Sequence, residues 1–211
     1  MPVSIVLTDS IKDIENKVNK AIADLANKII SRSLGSIISS VKSLIPTWIV
    51  AQPEIQSLLS NDPSSLAGQF GIPGNKPMIV NKIIKSVMDA TETKFIKYSS
   101  NLSGGLELRF QPATFANLLG LPEGHVAYNG TNLHWLDWLL KRGDNIIVVN
   151  YQYNPQTGFG RSGLGNMVGG GSFRVPPEFS GTDDNNFITR AFIGQTQEKQ
   201  ISQIIENILS K

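Results

Sequence analysis

The sequence predicts an α+β protein: a helical N-terminal region, a small antiparallel sheet with a long glycine-rich hairpin, and a C-terminal helix. Three observations lead there. Apolar residues recur at three- and four-residue steps through most of the first ninety positions. A near-continuous apolar run, "NIIVVNYQYN", meets a glycine-loosened partner, "MVGGGSFRVPP". A last helical stripe closes the chain.

The first helix is expected from a cap at Thr8 or Asp9, with Ile11, Ile14, Val18, Ala21, Ile22, Leu25 and Ile29 on one apolar face. Ser31 or Ser33 reads as the start of a second helix that runs to Pro46 or a little past it. A shorter one begins at Gln52-Pro53 and covers Leu58 and Leu59. In "NDPSSLAGQFGIPG", Asp62 reads as a cap, Pro63 as the first helical residue and Gly71 to Gly74 as the stop. Val80, Ile83, Ile84, Val87 and Met88 form the apolar face of a helix over Met78 to Ala90. These N-terminal stripes are expected to satisfy one another within a protomer.

Beyond residue 92 the composition changes. "TKFIKYSS" and "GGLELRFQP" alternate polar and apolar residues about Asn101 to Gly105, a hairpin pattern. A short helix closed by Gly120 follows, then a capped helix in "TNLHWLDWLLKRG" stopped at Gly143, with Trp135 and Trp138 expected to be largely buried. The final helix uses Ile201, Ile204, Ile205, Ile208 and Leu209. The organisation is a helical region, 1–92, and an α+β region, 93–211, as two units or as halves of one compact domain.

Composition narrows the function classes. Nineteen Lys and Arg oppose seventeen Asp and Glu, a net charge of +2, without a dense basic cluster. The counterion-release drive of a dedicated nucleic-acid binder is missing, so no specific nucleic acid is expected. The chain has no cysteine, which removes disulfide scaffolds, thiolate metal sites and cysteine nucleophiles. The N-terminus lacks the basic start of a signal peptide, and the apolar stretch Leu34 to Ala51 carries Lys42 and Pro46. No membrane span is expected. The stripe of Ile37, Ile38, Val41, Leu44 and Ile45 reads as packing, with an interfacial helix as the alternative.

Gly158, Gly160 and Gly163 spell G-x-G-x-x-G. A dinucleotide fingerprint needs its third glycine to open a helix, yet Gly169 to Gly171 and two prolines follow, so the stretch reads as a hairpin loop. Neither Lys-Ser nor Lys-Thr follows the glycines, which removes the P-loop reading. His134 and Asp137 are spaced for a hydrogen bond on one helical face, His125 lies on another element, and Ser162 misses the nucleophile-elbow spacing. Asp183 and Asp184 read as helix capping before "NNFITRAF". No catalytic residue, cofactor or metal site is expected, and the chain reads as a non-enzyme.

What stands out is aromatic and arginine residues in loop-rich sequence. Phe159, Phe173 and Phe179 alternate with Arg161, Arg174 and Arg190 around Pro176 and Pro177, in a segment too rich in glycine and proline to make its own core. Aromatics and arginine are enriched at interface centres, so these eight residues are the candidate partner interface, with wrapping over the chain's own sheet as the alternative.

The stretches "LHWLDWLLKRGDNIIV", "GRSGLGNM" and "FRVPPEFSGTDDNNFITRAF", within Leu133 to Phe192, resemble virion proteins of tailed bacteriophages, of the neck or tail-completion type at the head-to-tail junction. The resemblance covers the last third of the chain and carries no catalytic motif. It implies a structural protomer that forms a homo-oligomeric ring and stacks on other neck, portal or tail proteins. Such a protein is assembled in the host cytoplasm and located in the virion. The alternative from the residues is a regulatory or membrane-surface binding module built on the N-terminal helices.

Overall fold

The computed structural model describes residues 9–128, 131–158 and 160–210. The fold is α+β. The described residues form two compact units, each assembled from separated stretches of chain: unit 1 from those within 9–41, 92–109 and 200–210, unit 2 from those within 42–91 and 110–199. Residue 92 is therefore a unit edge, but the polypeptide returns across it twice.

A single helix, α1 (Ile11–Val50), replaces the expected pair. Ser31 and Ser33 lie inside it, where a serine's preference for capping is outweighed by continuing backbone hydrogen bonds. Its cap is Ser10: Ser10 Oγ accepts from Asp13 N at 3.2 Å and Asp13 Oδ2 accepts from Ser10 N at 3.3 Å, a reciprocal box. Pro46 sits in the last turns without ending the helix. α1 holds an 18-residue window of mean hydropathy 1.2, long and apolar enough by length and composition alone to cross a membrane, with 28% of that window buried within the protein.

In unit 1 the buried residues of α1 are Ala23, Ile37 and Val41. β1 (Glu92–Ile96) and β2 (Gly105–Arg109) form the expected antiparallel hairpin, with Phe95 opposite Leu106. Asn27 fastens the hairpin loop to α1, since its Nδ2 donates to Tyr98 O at 2.9 Å and its Oδ1 accepts from Tyr98 N at 2.7 Å. Most of α8 (Gln195–Leu209) belongs here. Ile201, Ile204, Ile205 and Ile208 are half-covered, and no residue of α8 is fully buried.

Unit 2 holds the larger core. The last turns of α1 bury Ile45, Trp48 and Ile49. They are followed by α2 (Pro53–Leu59), α3 (Leu66–Gln69) and α4 (Lys76–Ala90), which buries Ile79, Val80, Ile83, Ile84 and Val87. The α3 cap is Ser65, whose hydroxyl accepts from Gly68 N; Asp62 instead accepts from Ser64 N at 2.7 Å in the preceding turn. α5 (Ala116–Leu119) ends at Gly120, and a 3-10 turn spans Pro122–Gly124. Thr131–Leu133, expected as the start of a helix, pairs as β4 with β3 (Val126–Tyr128), so α6 covers Trp135–Leu140 only. α7 (Phe187–Phe192) is capped by Asn186, whose Oδ1 accepts from Ile188 N and Thr189 N, and not by the aspartates before it.

Two aromatic clusters hold this core. Phe110 stacks on Phe192 with centroids 4.6 Å apart, and Trp48 meets both rings edge-on. Phe70 packs on Trp135 at 6.0 Å and on Phe173 at 6.3 Å. Trp135 is fully buried, as expected, whereas Trp138 is only half-buried, one step round the helix toward solvent.

Candidate functional site

The candidate site is a two-stranded ribbon in unit 2, β5 (Ile146–Asn154) paired antiparallel with β6 (Asn166–Arg174). Three glycines in a row would normally weaken a strand, and here they allow a bulge. Between the pairs Val149↔Ser172 and Tyr151↔Gly169 the register shifts, and Asn150, Gly170 and Gly171 adopt φ of 63°, 103° and 70°. That left-handed backbone is open to glycine and tolerated by asparagine, which explains the residue types. The bulge sharpens the twist at mid-ribbon.

The ribbon is pinned at both ends. At its base Phe173 is 4% exposed and Val175 is fully buried. At the other end, Tyr153 Oη donates to Pro63 O, while Arg161 Nε donates to Gly71 O at 3.0 Å and Arg161 Nη1 to Ala127 O at 2.6 Å. Burial pushes the Tyr153 phenol up from its ordinary value. Gly68 is required by this docking, because a β-carbon there would lie 2.5 Å from Tyr153 Oη and 2.7 Å from Pro63 O. A cleft of about 630 Å³ lies here, lined by Gly68, Phe70, Gly71, Tyr153, Arg161 and Met167 among others.

Between its anchors the ribbon is uncovered. Val149 is 64% exposed and Tyr151 50%, with Val148 and Met167 also open to solvent. Among the described residues neither outer edge is paired with another strand. A patch of β-branched and aromatic side chains on a strand with free N–H and C=O groups is a template for a further strand.

The expected interface residues fall differently. Phe173 lies in the core of its own unit, and Arg161 holds its own loop in place. Arg190 reaches from α7 to Glu54 of α2, which is fully buried, and its Nη1 also donates to Asn185 Oδ1 at 2.8 Å. These three are intramolecular fastenings. Arg174 is exposed, with Asp144 at 3.6 Å, and Pro177 is exposed. Pro176 and Phe179 are half-buried in a turn closed by Phe179 N donating to Pro176 O at 2.9 Å. Phe159 lies outside the described residues. The exposed centre, Val149, Tyr151 and Met167, escaped sequence reading, although the length of "NIIVVNYQYN" beside a glycine-rich partner was its signal.

The glycine motif closes the ribbon's loop. Its third glycine, Gly163 at φ 74°, leads into a strand and not a helix, so the N-terminal amides a pyrophosphate needs are not built there. The histidines stack with centroids 3.8 Å apart. His134 Nε2 is buried without a hydrogen-bond partner among the described residues, and His125 Nδ1 faces Asn132 Nδ2 at 3.1 Å. Burial first, then the neighbouring His125, holds the His134 imidazole below its ordinary value. The expected His134–Asp137 pairing gives way to Arg142, whose Nε donates to Asp137 Oδ2 at 2.6 Å. Among the described residues no cluster of three His, Cys, Asp or Glu side chains is placed to hold a metal.

Compared with protein-family models, with curated proteins and with solved structures, the chain gives no match.

Proposed function

We propose that this chain is a non-enzymatic structural protein that assembles with copies of itself into a ring. Its proposed place is the head-to-tail junction of a tailed bacteriophage virion, with other neck, portal or tail proteins as neighbours. The observation that carries the proposal is the ribbon β5–β6. It has nine residues per strand, is fixed at both ends, and exposes Val149, Tyr151 and Met167 beside strand edges that no other described strand pairs with. A two-stranded ribbon with solvent on its apolar side is marginal in water, and a neighbouring subunit supplies the missing cover.

The stretches that resemble junction proteins support the same reading. They include α6, the ribbon loop with Arg161, the base of β6 with Phe173, and α7. Electron microscopy of the purified protein in negative stain is expected to show closed rings. Val149→Lys with Tyr151→Lys is expected to abolish them without changing the circular dichroism spectrum. Rings that persist in that variant would move the interface elsewhere, and their absence from the wild-type protein at high concentration would sink the proposal.

A further inference from the structure

His125 and His134 face each other one step beyond the ladder of β3 and β4, whose pairs run from Tyr128↔Thr131 to Val126↔Leu133. Their rings stack with centroids 3.8 Å apart and planes 18° from parallel. Beside them Trp135 Nε1 donates to Glu123 O at 2.9 Å. The stack and this bond together fasten the turn before β3 to the start of α6. The hairpin in turn carries Ala127 O, which accepts from Arg161 Nη1 at 2.6 Å, an anchor of the ribbon's outer end.

We propose that the histidine stack is a pH-sensitive latch: neutral, it holds the β3–β4 hairpin against α6, and on acidification the hairpin lifts and takes Ala127 away from Arg161. The latch belongs to a single protomer and does not rest on the proposed assembly. Two features make the closed stack a poor host for protons. His134 Nε2 is buried without a hydrogen-bond partner among the described residues, and Gly124 closes that side. A β-carbon at Gly124 would lie 3.2 Å from Leu136 Cβ and 3.6 Å from His134 Nε2. In the neutral ring this nitrogen can stay bare, whereas protonated it is a charged, buried donor with nothing to receive it. The second feature is repulsion, since positive charges on two rings 3.8 Å apart oppose each other strongly away from bulk water. Opening the stack to solvent relieves both.

The surrounding charges do not remove the effect. Asp137 on α6 favours a proton on His134, but Arg142 Nε engages its carboxylate at 2.6 Å and Arg142 opposes the proton. Glu123 on the turn and Arg161 from the ribbon loop, one of each sign, are the other charged side chains of the described elements that meet here. Burial first and the facing His125 next hold the His134 imidazole below its ordinary value of 6.5. The opened hairpin therefore takes up a proton more readily than the closed one, and opening is favoured as the pH falls below 6.5.

Hydrogen–deuterium exchange of the wild-type chain at pH 7 and pH 5, corrected for the intrinsic effect of pH on amide exchange, tests the latch directly. Residues 122–128, 131–134 and 160–164 are expected to exchange faster at pH 5, with α4 unchanged. His134 alone can supply up to about 25-fold, the limit for an imidazole of pKa 6.5 that takes its proton only when the hairpin is open. His134→Asn removes the buried proton site, and His125→Phe removes the facing charge while keeping a ring. The pH dependence is expected to vanish in the first and to shrink in the second, so either variant reads the effect if the other does not fold. Equal exchange of the wild-type hairpin at the two pH values would overturn the latch, as would an acceleration of wild-type size in either variant. Acceleration shared by α4 would be general acid unfolding and would overturn it too. Protection kept at 160–164 while the hairpin opens would overturn the link to Arg161.

Discussion

At the scale of single residues, arginines with similar sequence surroundings do different work, and the difference lies in what each one meets. Arg190 neutralises a carboxylate with no access to water, because Glu54 is fully buried and its second oxygen has no hydrogen-bond partner among the described residues. Arg190→Ala is therefore expected to cost on the order of 3 to 5 kcal/mol, the range for stranding a buried charge. The double variant with Glu54→Leu should recover part of that loss in urea denaturation. Arg174, paired with Asp144 at an exposed site, has no such hold on stability. A stable Arg190→Ala protein would mean that water reaches Glu54.

His134 gives a pH dependence whose sign follows from its environment. Burial and the stacked His125 lower its folded-state pKa below the 6.5 of the unfolded chain, while Asp137 pulls upward and Arg142 downward. Below pH 6.5 the unfolded chain takes up a proton that the folded chain resists, so stability falls as pH drops through that range. His134→Asn keeps a residue suited to the α6 cap and removes the proton site. Denaturation midpoints between pH 7 and pH 5 should fall less steeply in this variant. Identical slopes would assign the effect to other groups.

At the scale of elements, the sequence was most readable where a signal is local. α4, both long hairpins and the last helix stand where periodicity and turn residues put them. The failures have physical causes. Ser31 and Ser33 are good caps in isolation, but nothing interrupts the backbone ladder there, so α1 continues. Thr131 to Leu133 reads as a helix start until Val126 to Tyr128 is close enough to pair with it. The site residues were harder still. Arg190 finds Glu54 across 136 positions, and Tyr153 finds Pro63 across 90, contacts that no window of sequence contains. On α6 the two tryptophans separate for the same reason. Trp135, fully buried against Phe70 with its Nε1 donating to Glu123 O at 2.9 Å, should cost about 3 to 5 kcal/mol on replacement by Ala. Half-buried Trp138 should cost distinctly less, measured by the same denaturation. Equal losses would mean that both rings are core.

At the scale of the whole molecule, two exposed apolar features remain among the described residues, the ribbon middle in unit 2 and the α1 stripe, Ile11 to Ile29, in unit 1. A free strand edge joined to a different surface of the next subunit repeats around a ring. The mass of the purified protein in solution tests the central claim, self-assembly through the ribbon. Native mass spectrometry is predicted to show one discrete species of more than two copies, reduced to two or fewer by Val149→Lys with Tyr151→Lys and still larger than a dimer in Ile22→Glu. A protein that never exceeds a dimer, or a large species untouched by the ribbon substitutions, would contradict it.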